Sequence, residues 1–370
     1  MTKVTLHRIG ASVQTLTELI ADFNPGATLG ASVHPIDAAA LAAHLRAHVE
    51  NFSGELVVEQ FQGGQSNPTY RVTAGDRRYV LRCKPPGHLL PSAHAVEREF
   101  RVMSALAGTD VPVARTYALC EDATVIGTAF YVMEYVEGRI LWDPTLPGMT
   151  PAQRTAHYDE LNRVISALHR VDYVAAGLGD YGRPGNYIER QVARWSKQYQ
   201  AAAAERIPAM DRLIEWLPHH VPPGDETCIV HGDYRIDNVI FHPTEPRVLA
   251  VLDWELSTLG HPLSDGAYQV MAWRLTPQEF RGLKGCDFAA LFIPTEDEYV
   301  AAYCRRTGRD AIAHWDVYLI FNMFRIAAIL QGVLSRALQG NAASRNAVET
   351  GSRARLVADV AWQMAQRVAG

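Results

Sequence analysis

The segment Ile229 to Phe241, "IVHGDYRIDNVIF", places a histidine, a glycine, two aspartates, an arginine and an asparagine between two pairs of apolar residues. Asp233 and Asn238 are five residues apart. That spacing suits phosphoryl transfer, in which an Asp orients the attacking hydroxyl and an Asn five positions later holds a divalent metal. A second metal-binding carboxylate is then expected just after the following strand, and Asp253 in "VLDWE" stands there. Asp237, adjacent to Asn238, is expected to brace the loop or to be solvated. His231, Asp233 and Asp237 match no zinc spacing. The chain has no G-x-S-x-G elbow and no G-x-x-x-x-G-K-[ST] loop. Gly177 to Gly182 fits G-x-G-x-x-G, but Arg183-Pro184-Gly185 follows it where a dinucleotide site needs a helix, so a plain loop is expected.

Transfer of a terminal phosphoryl group also needs cations on the nucleotide phosphates. In "YVLRCK" the period of two puts Arg82 and Lys84 on one face, so either can reach the phosphates. Glu97 and Glu99 on the next helix are candidate partners. The turn at Gly63-Gly64-Gln65-Ser66-Asn67 would supply backbone N–H groups over the phosphates, with Ser66 and Asn67 at its end.

Around these residues the chain reads as α+β. The pieces "ELVVEQF", "TYRVTA" and "RYVLRCK" form a meander. A helix capped by Ser92 carries the apolar stripe Val96, Phe100, Met103 and Leu106, and two more strands close a first lobe near Gly138. The remainder is mostly helical. Capping boxes begin at Thr150, Thr276 and Thr295. One β-hairpin is expected to carry both the 229–241 segment and "VLAVLDW". The expected organisation is an N-terminal arm (1–34), a nucleotide-binding lobe (35–138) and a catalytic, substrate-binding lobe (139–370).

Length and composition narrow the rest. The 370 residues are 48% hydrophobic and 20% charged, with a net charge of −5, which argues against general nucleic-acid binding. The charge is uneven: nine arginines stand against four carboxylates from Arg305 onward, suiting an anionic ligand or a solvated face. Five scattered cysteines with no C-x-x-C suggest reduced thiols and a cytoplasmic setting. The N-terminus has no apolar run resembling a signal peptide. Val317 to Leu334 is the most apolar stretch. Asn322, Arg325 and Gln331 interrupt it, so a buried core helix is expected and no membrane association.

The sequence resembles the aminoglycoside phosphotransferase and choline kinase group. The resemblance runs from about Leu56 to Trp273 through "GGQSNPTYRV", "YVLR", "EREFRVM", "YVMEYVEG", "ALHRVD", "HGDYRIDN" and "LDWELSTLGHPLSD". It implies a protein-kinase-like two-lobe fold and the use of ATP and Mg2+. Asp233 becomes the catalytic carboxylate, Asn238 and Asp253 the metal ligands, and His231 a structural member of the loop. Glu99 falls at the helix partner of the phosphate-binding cation, and Met133, Glu134 and Val136 belong to the hinge that meets adenine. Arg82 stands where antibiotic-modifying members have Lys. His261 replaces an Asp common in the second motif, leaving Asp265 there.

A closer resemblance lies in "LRCKPPGHLLPSAHAVEREFRVM" and "GLGDYGRPGNYIERQVARWSKQY". They are similar to the kinase-like domain carried N-terminally by some acyl-CoA dehydrogenases and to its bacterial stand-alone versions. That subgroup implies a hydroxyacyl group as acceptor, as a CoA thioester or related hydroxy acid. The alternatives are an aminoglycoside or choline-like amino alcohol, and an inactive nucleotide-binding module. Arg190, Trp195 and Arg325 are candidate substrate residues, Arg325 with a structural ion pair as its competing role. An enzyme of acyl-CoA metabolism and a second copy of the chain are candidate partners.

Overall fold

The computed structural model describes residues 29–30, 36–61, 67–85, 95–202, 205–339 and 347–368. The turn at Gly63-Gly64, Ser66, the Ser92 cap and most of the expected arm lie outside the described residues.

Six antiparallel strands form the N-terminal sheet in the order β1-β2-β3-β4-β6-β5. They are β1 (Leu29–Gly30), β2 (Leu56–Phe61), β3 (Thr69–Ala74), β4 (Arg77–Cys83), β5 (Thr116–Cys120) and β6 (Phe130–Glu134). Five strands were expected. The sixth, β1, comes from the segment assigned to the arm and pairs Leu29 with Phe61. A two-residue strand carries no periodic signal, so only pairing reveals it. Helix α1 (Ala38–His48) precedes β2, and its first turn is capped by the Asp37 carboxylate. Helix α2 (Val96–Leu106) lies between β4 and β5.

The alternation of strand side chains divides this sheet between two cores. Tyr79, Leu81 and Cys83 of β4 and Phe130 and Val132 of β6 face a small core closed by Leu41 and Leu45 of α1. Tyr131 faces the opposite way, into the large core with Val102, Met103 and Leu106 of α2. Arg82 is directly opposite Tyr131 in the ladder and so shares its face. One strand thus anchors the sheet with its odd residues and presents a guanidinium toward the helical region with an even one.

The C-terminal region is mainly helical. Its long helices are α3 (Pro151–His169), α4 (Tyr187–Ala202), α5 (Pro208–Trp216), α6 (Pro262–Val270), α9 (Glu296–Thr307), α10 (Trp315–Leu338) and α12 (Ala354–Val368). Three short ones are α7 (Pro277–Phe280), α8 (Phe288–Leu291) and α11 (Ala347–Ser352). The capping boxes open α3, α7 and α9 as expected. Helix α10 is long and apolar enough to cross a membrane, yet most of its apolar window is buried inside the fold. Its three polar interruptions explain that placement. Asn322 donates to the Ser264 carbonyl, Arg325 to that of Gly232, and Gln331 to that of Glu205. Each side-chain donor thus finds a backbone carbonyl inside the fold.

The single hairpin expected around the 229–241 segment is two nested pairs. β8 (Val239–Phe241) pairs with β9 (Val248–Val251), while β7 (Cys228–Val230) pairs with β10 (Thr258–Gly260). The reason lies in the residues between strands: 231–238 turn away from the ladder and return. The chain passes from sheet to helical region at Gly138 and Arg139. Arg139 exchanges backbone hydrogen bonds with Phe241. A Cβ on Gly138 would stand 2.3 Å from the Phe241 oxygen, so only glycine permits that approach.

Candidate active site

The loop between β7 and β8 is held from below by one buried carboxylate. Asp265, in the first turn of α6, accepts the backbone N–H of His231 at 2.6 Å and of Gly232 at 2.8 Å, one on each oxygen. His169 of α3 approaches the same carboxylate at 3.2 Å. Burial alone would push the Asp265 pKa up, but the hydrogen bond from His169 and the backbone donors outweigh it and hold it below the usual carboxylate value. Gly232 has φ of +83°, and a Cβ there would meet the Leu256 oxygen at 2.8 Å. Arg325 donates to the Gly232 carbonyl from behind.

His231 is held at both ring nitrogens. Its Nδ1 accepts the Asp233 N–H at 3.2 Å, so the 2.8 Å contact from Nε2 to the Leu252 carbonyl must be a donated hydrogen bond. The imidazole therefore ties the start of the loop to the end of β9. Immediately before α6, Asp265's neighbourhood receives one more fastening: His261 accepts the Leu263 N–H at 3.3 Å and caps the helix. Burial lowers the His261 pKa, which keeps the ring neutral and able to accept. A histidine can thus fill the capping part of the aspartate it replaces.

On this platform Asp233 is held at both oxygens. The Tyr268 hydroxyl donates to Oδ1, and the Asn238 amide donates to Oδ2 at 2.9 Å. Arg235 forms an ion pair with it, Nε to Oδ1 at 3.1 Å. Burial, and next the Asp233 charge, raise the Tyr268 pKa, so the phenol stays protonated and remains a donor. The Asn238 amide nitrogen also donates to the Asp233 carbonyl at 2.8 Å. With the nitrogen so committed, Oδ1 of Asn238 is turned away from Asp233.

Asp253 follows β9 in the left-handed region, with φ of +62°. Asp tolerates that conformation better than most residues, and its use here bends the chain so that the carboxylate meets the N-terminal sheet. Arg82 of β4 pairs with it at 3.0 Å. The same guanidinium lies 2.8 Å from Glu99 of α2, which is 2% exposed and further bonded by Asn67 and Tyr131. Burial raises the Glu99 pKa even against the pull of Arg82. Lys84, left open with Arg82 as a phosphate-binding cation, pairs instead with Glu97 at 2.8 Å on a partly exposed flank.

The structure thus brings Asp233, Asn238, Asp253, Arg82, Glu99, Asn67, His231 and Asp265 into one connected region. Met133 and Glu134 end β6, with Val136 half-buried just beyond. The substrate candidates are placed differently. Arg190 donates to the Arg183 carbonyl at 2.6 Å, on the outer part of α4. Trp195 is buried, and Arg325 packs over its ring and over Tyr268 beneath the loop. The partner of Arg325 is therefore a carbonyl and two aromatic faces, not the expected ion pair.

Asp237 is not solvated. It is buried and pairs with Arg281, with Arg235 at 3.6 Å. Burial opposes its charge, but the two guanidinium groups prevail and lower its pKa. Tyr268, Arg235, Arg281 and His169 were not singled out from the sequence. Tyr268 had a signal, since it lies three residues after Asp265 and so shares its helix face. Arg281 had none: it reaches Asp237 from an αL position after α7.

The family model of the phosphotransferase enzyme family matches residues 57–318. Mouse acyl-CoA dehydrogenase family member 10 is 51% identical over 318 residues, covering 85% of this chain but only 30% of its own length. The chain therefore spans under a third of that curated relative. A crystal structure from Ralstonia eutropha, provisionally named an aminoglycoside phosphotransferase, is 58% identical, with a TM-score of 0.83 over 90% of this chain and 99% of that one. Choline kinase from Cryptosporidium parvum aligns with a TM-score of 0.59 over 90% of this chain and 96% of its own, at 13% identity, which speaks to the fold alone. The fold is the two-lobed protein-kinase-like one, and with the match covering most of the chain and the Asp233, Asn238 and Asp253 constellation inside it, the chain belongs to the phosphotransferase enzyme family.

Proposed function

We propose that this protein transfers the γ-phosphoryl group of ATP to a hydroxyl of a hydroxyacyl-CoA or related hydroxy acid, with magnesium as the metal. The observation that carries the acceptor class is the charge beside Asp233. Arg235 and Arg281 stand beside the 232–237 loop, paired with Asp233 and Asp237, and the 51% identity to mouse acyl-CoA dehydrogenase family member 10 points the same way. A polycationic aminoglycoside or a choline-like amine calls for carboxylates. Guanidinium groups and aromatic faces suit an anionic thioester or acid instead.

The residues present fit ATP and magnesium. Asn238 Oδ1 and the Asp253 carboxylate are hard oxygen donors. Among the described residues there is no cluster of three or more His, Cys, Asp or Glu side chains suited to a metal. Magnesium characteristically takes one or two protein oxygens and completes its shell with phosphates and water. When bound it neutralises charge on the phosphate oxygens. On this reading Asp233 accepts a hydrogen bond from the acceptor hydroxyl and orients it. Arg82, preset by Glu99, holds the nucleotide phosphates. Met133 to Val136 meet the adenine. We divide the lobes at residues 138 and 139 and take the cytoplasm, beside enzymes of acyl-CoA metabolism, as the working environment.

Arg82→Ala is expected to weaken ATP binding roughly ten- to a hundredfold, on the scale of a lost charge-assisted contact worth about 1.5–3 kcal/mol. Lys84→Ala should change it less than about threefold, because its pair with Glu97 is half-exposed. Nucleotide titrations of the two variants check this, and equal losses would return Lys84 to the site.

The name of the Ralstonia eutropha protein supports a second reading, an aminoglycoside acceptor. A panel of hydroxyacyl-CoA thioesters, free hydroxy acids, choline and kanamycin separates the two. The expected result is magnesium-dependent ADP release with kcat/KM about tenfold or more higher for a hydroxyacyl-CoA than for either amine. A preference for kanamycin would reverse the assignment.

A further inference from the structure

Behind the Asp233 loop lies a cavity of about 50 Å³. Trp142, Tyr158, Trp273 and Phe280 are among the aromatic residues of its wall, and Arg235 and Tyr268 line it as well. Those last two residues are the ones that hold Asp233: the Tyr268 hydroxyl donates to its Oδ1, and Arg235 Nε lies 3.1 Å from the same oxygen. The cavity therefore borders on the two side chains that contact the candidate catalytic carboxylate.

Its polar lining is already engaged. Asp237 pairs with Arg281 and, at 3.6 Å, with Arg235. Gln269 Oε1 accepts the Tyr299 hydroxyl at 2.9 Å. What remains facing the space is aromatic and aliphatic. A cavity needs roughly 10–15 Å³ for each water-sized group, and a buried water needs two to four polar partners. This one has room for roughly four such groups and offers few such partners, which favours hydrocarbon over water.

We propose that this cavity is the subsite for the aliphatic end of the acceptor, placed so that a hydroxyl a few carbons back meets Asp233. The inference rests on the hydroxyacyl reading above and adds a chain-length selection that the reading alone does not require. Ala272 and Phe280 line the space without touching Asp233. Ala272→Leu fills it, and Phe280→Ala enlarges it.

The test measures kcat/KM of the full-length wild type and both variants with hydroxyacyl-CoA thioesters of increasing chain length. ATP binding and the thermal midpoint serve as folding controls. In the wild type each methylene that enters the cavity should raise kcat/KM about fourfold, the equivalent of about 0.8 kcal/mol, up to an optimum. Ala272→Leu should shorten that optimum by roughly two to three carbons, the size of the added side chain, and Phe280→Ala should lengthen it. Shifts in opposite directions would not arise from a general loss of stability. Turnover in which a folded variant keeps the wild-type optimum overturns the subsite and leaves the hydroxyacyl reading standing. No turnover of any hydroxyacyl-CoA by the wild type overturns both.

Discussion

Asp233→Asn is expected to lower kcat by roughly a thousandfold, within the range for removal of a positioned acid–base group. ATP affinity should fall far less than kcat, because Arg82 and Asp253 do not contact Asp233 and only the Asn238 amide must readjust. The substitution preserves shape. An amide can still accept from Tyr268 through its oxygen, and Asp237 continues to neutralise Arg235 and Arg281. What it removes is the negative charge that draws the acceptor hydroxyl's proton. Single-turnover rates with saturating nucleotide measure this directly, and a rate within tenfold of wild type would remove Asp233 from the role.

The largest loss of stability is expected from Asp265→Asn, at about 3–5 kcal/mol, the scale for breaking a buried charged pair from one side. Both carboxylate oxygens accept backbone N–H groups, from His231 and Gly232. An amide would turn one NH2 group against one of those donors. The depressed pKa also sets a sign for pH dependence. The Asp265 carboxylate contributes stability at all pH above the unfolded-state value near 3.9. That contribution is lost as pH falls from there through the lower folded-state value. Wild type should therefore lose stability steeply below about pH 4, while Asp265→Asn should be weaker throughout and flatter across the same window. Denaturant midpoints taken between neutral and acid pH check both parts. An unchanged acid slope in the variant would mean that other carboxylates dominate acid unfolding.

The contrast between Asp233 and Asp237 shows how far the residues could be read in order. Their distances along the chain to Asn238 and Asp253 single out Asp233, because a loop of fixed length between two strands places equivalent atoms reproducibly. Order alone gives Asp237 two roles, a brace for the loop or a solvated carboxylate. Its burial depends on Arg281, forty-four residues away, swinging in from a left-handed turn that no periodic pattern announces. The two cations of β4 were equally ambiguous. Alternation puts Arg82 and Lys84 on one face, and only the position of α2 gives Glu99 to the first and Glu97 to the second.

Arg325 and Trp195 went astray for a related reason. A charge inside an apolar helix signals that it has a partner, but not whether that partner is a ligand, a carboxylate or a carbonyl. Packing chose the Gly232 carbonyl. The nested pairing of β7 with β10 around β8 and β9 was likewise hidden, since strands of three or four residues are shorter than any alternation that would identify their neighbours.

Local order was thus enough for the type of chemistry, the two-lobe fold and the helix caps, because each rests on spacing within a strand, a turn or a helix. The assembly of Asp265, Tyr268, Arg281 and Arg325 around one loop was decided by tertiary packing. So was the apolar cavity beside Asp233, which is bounded by residues from 142 to 283. A cavity has no sequence signature. It is the space left when helices and loops from separate parts of the chain settle against one another, and it bears on the acceptor that the catalytic motif leaves open.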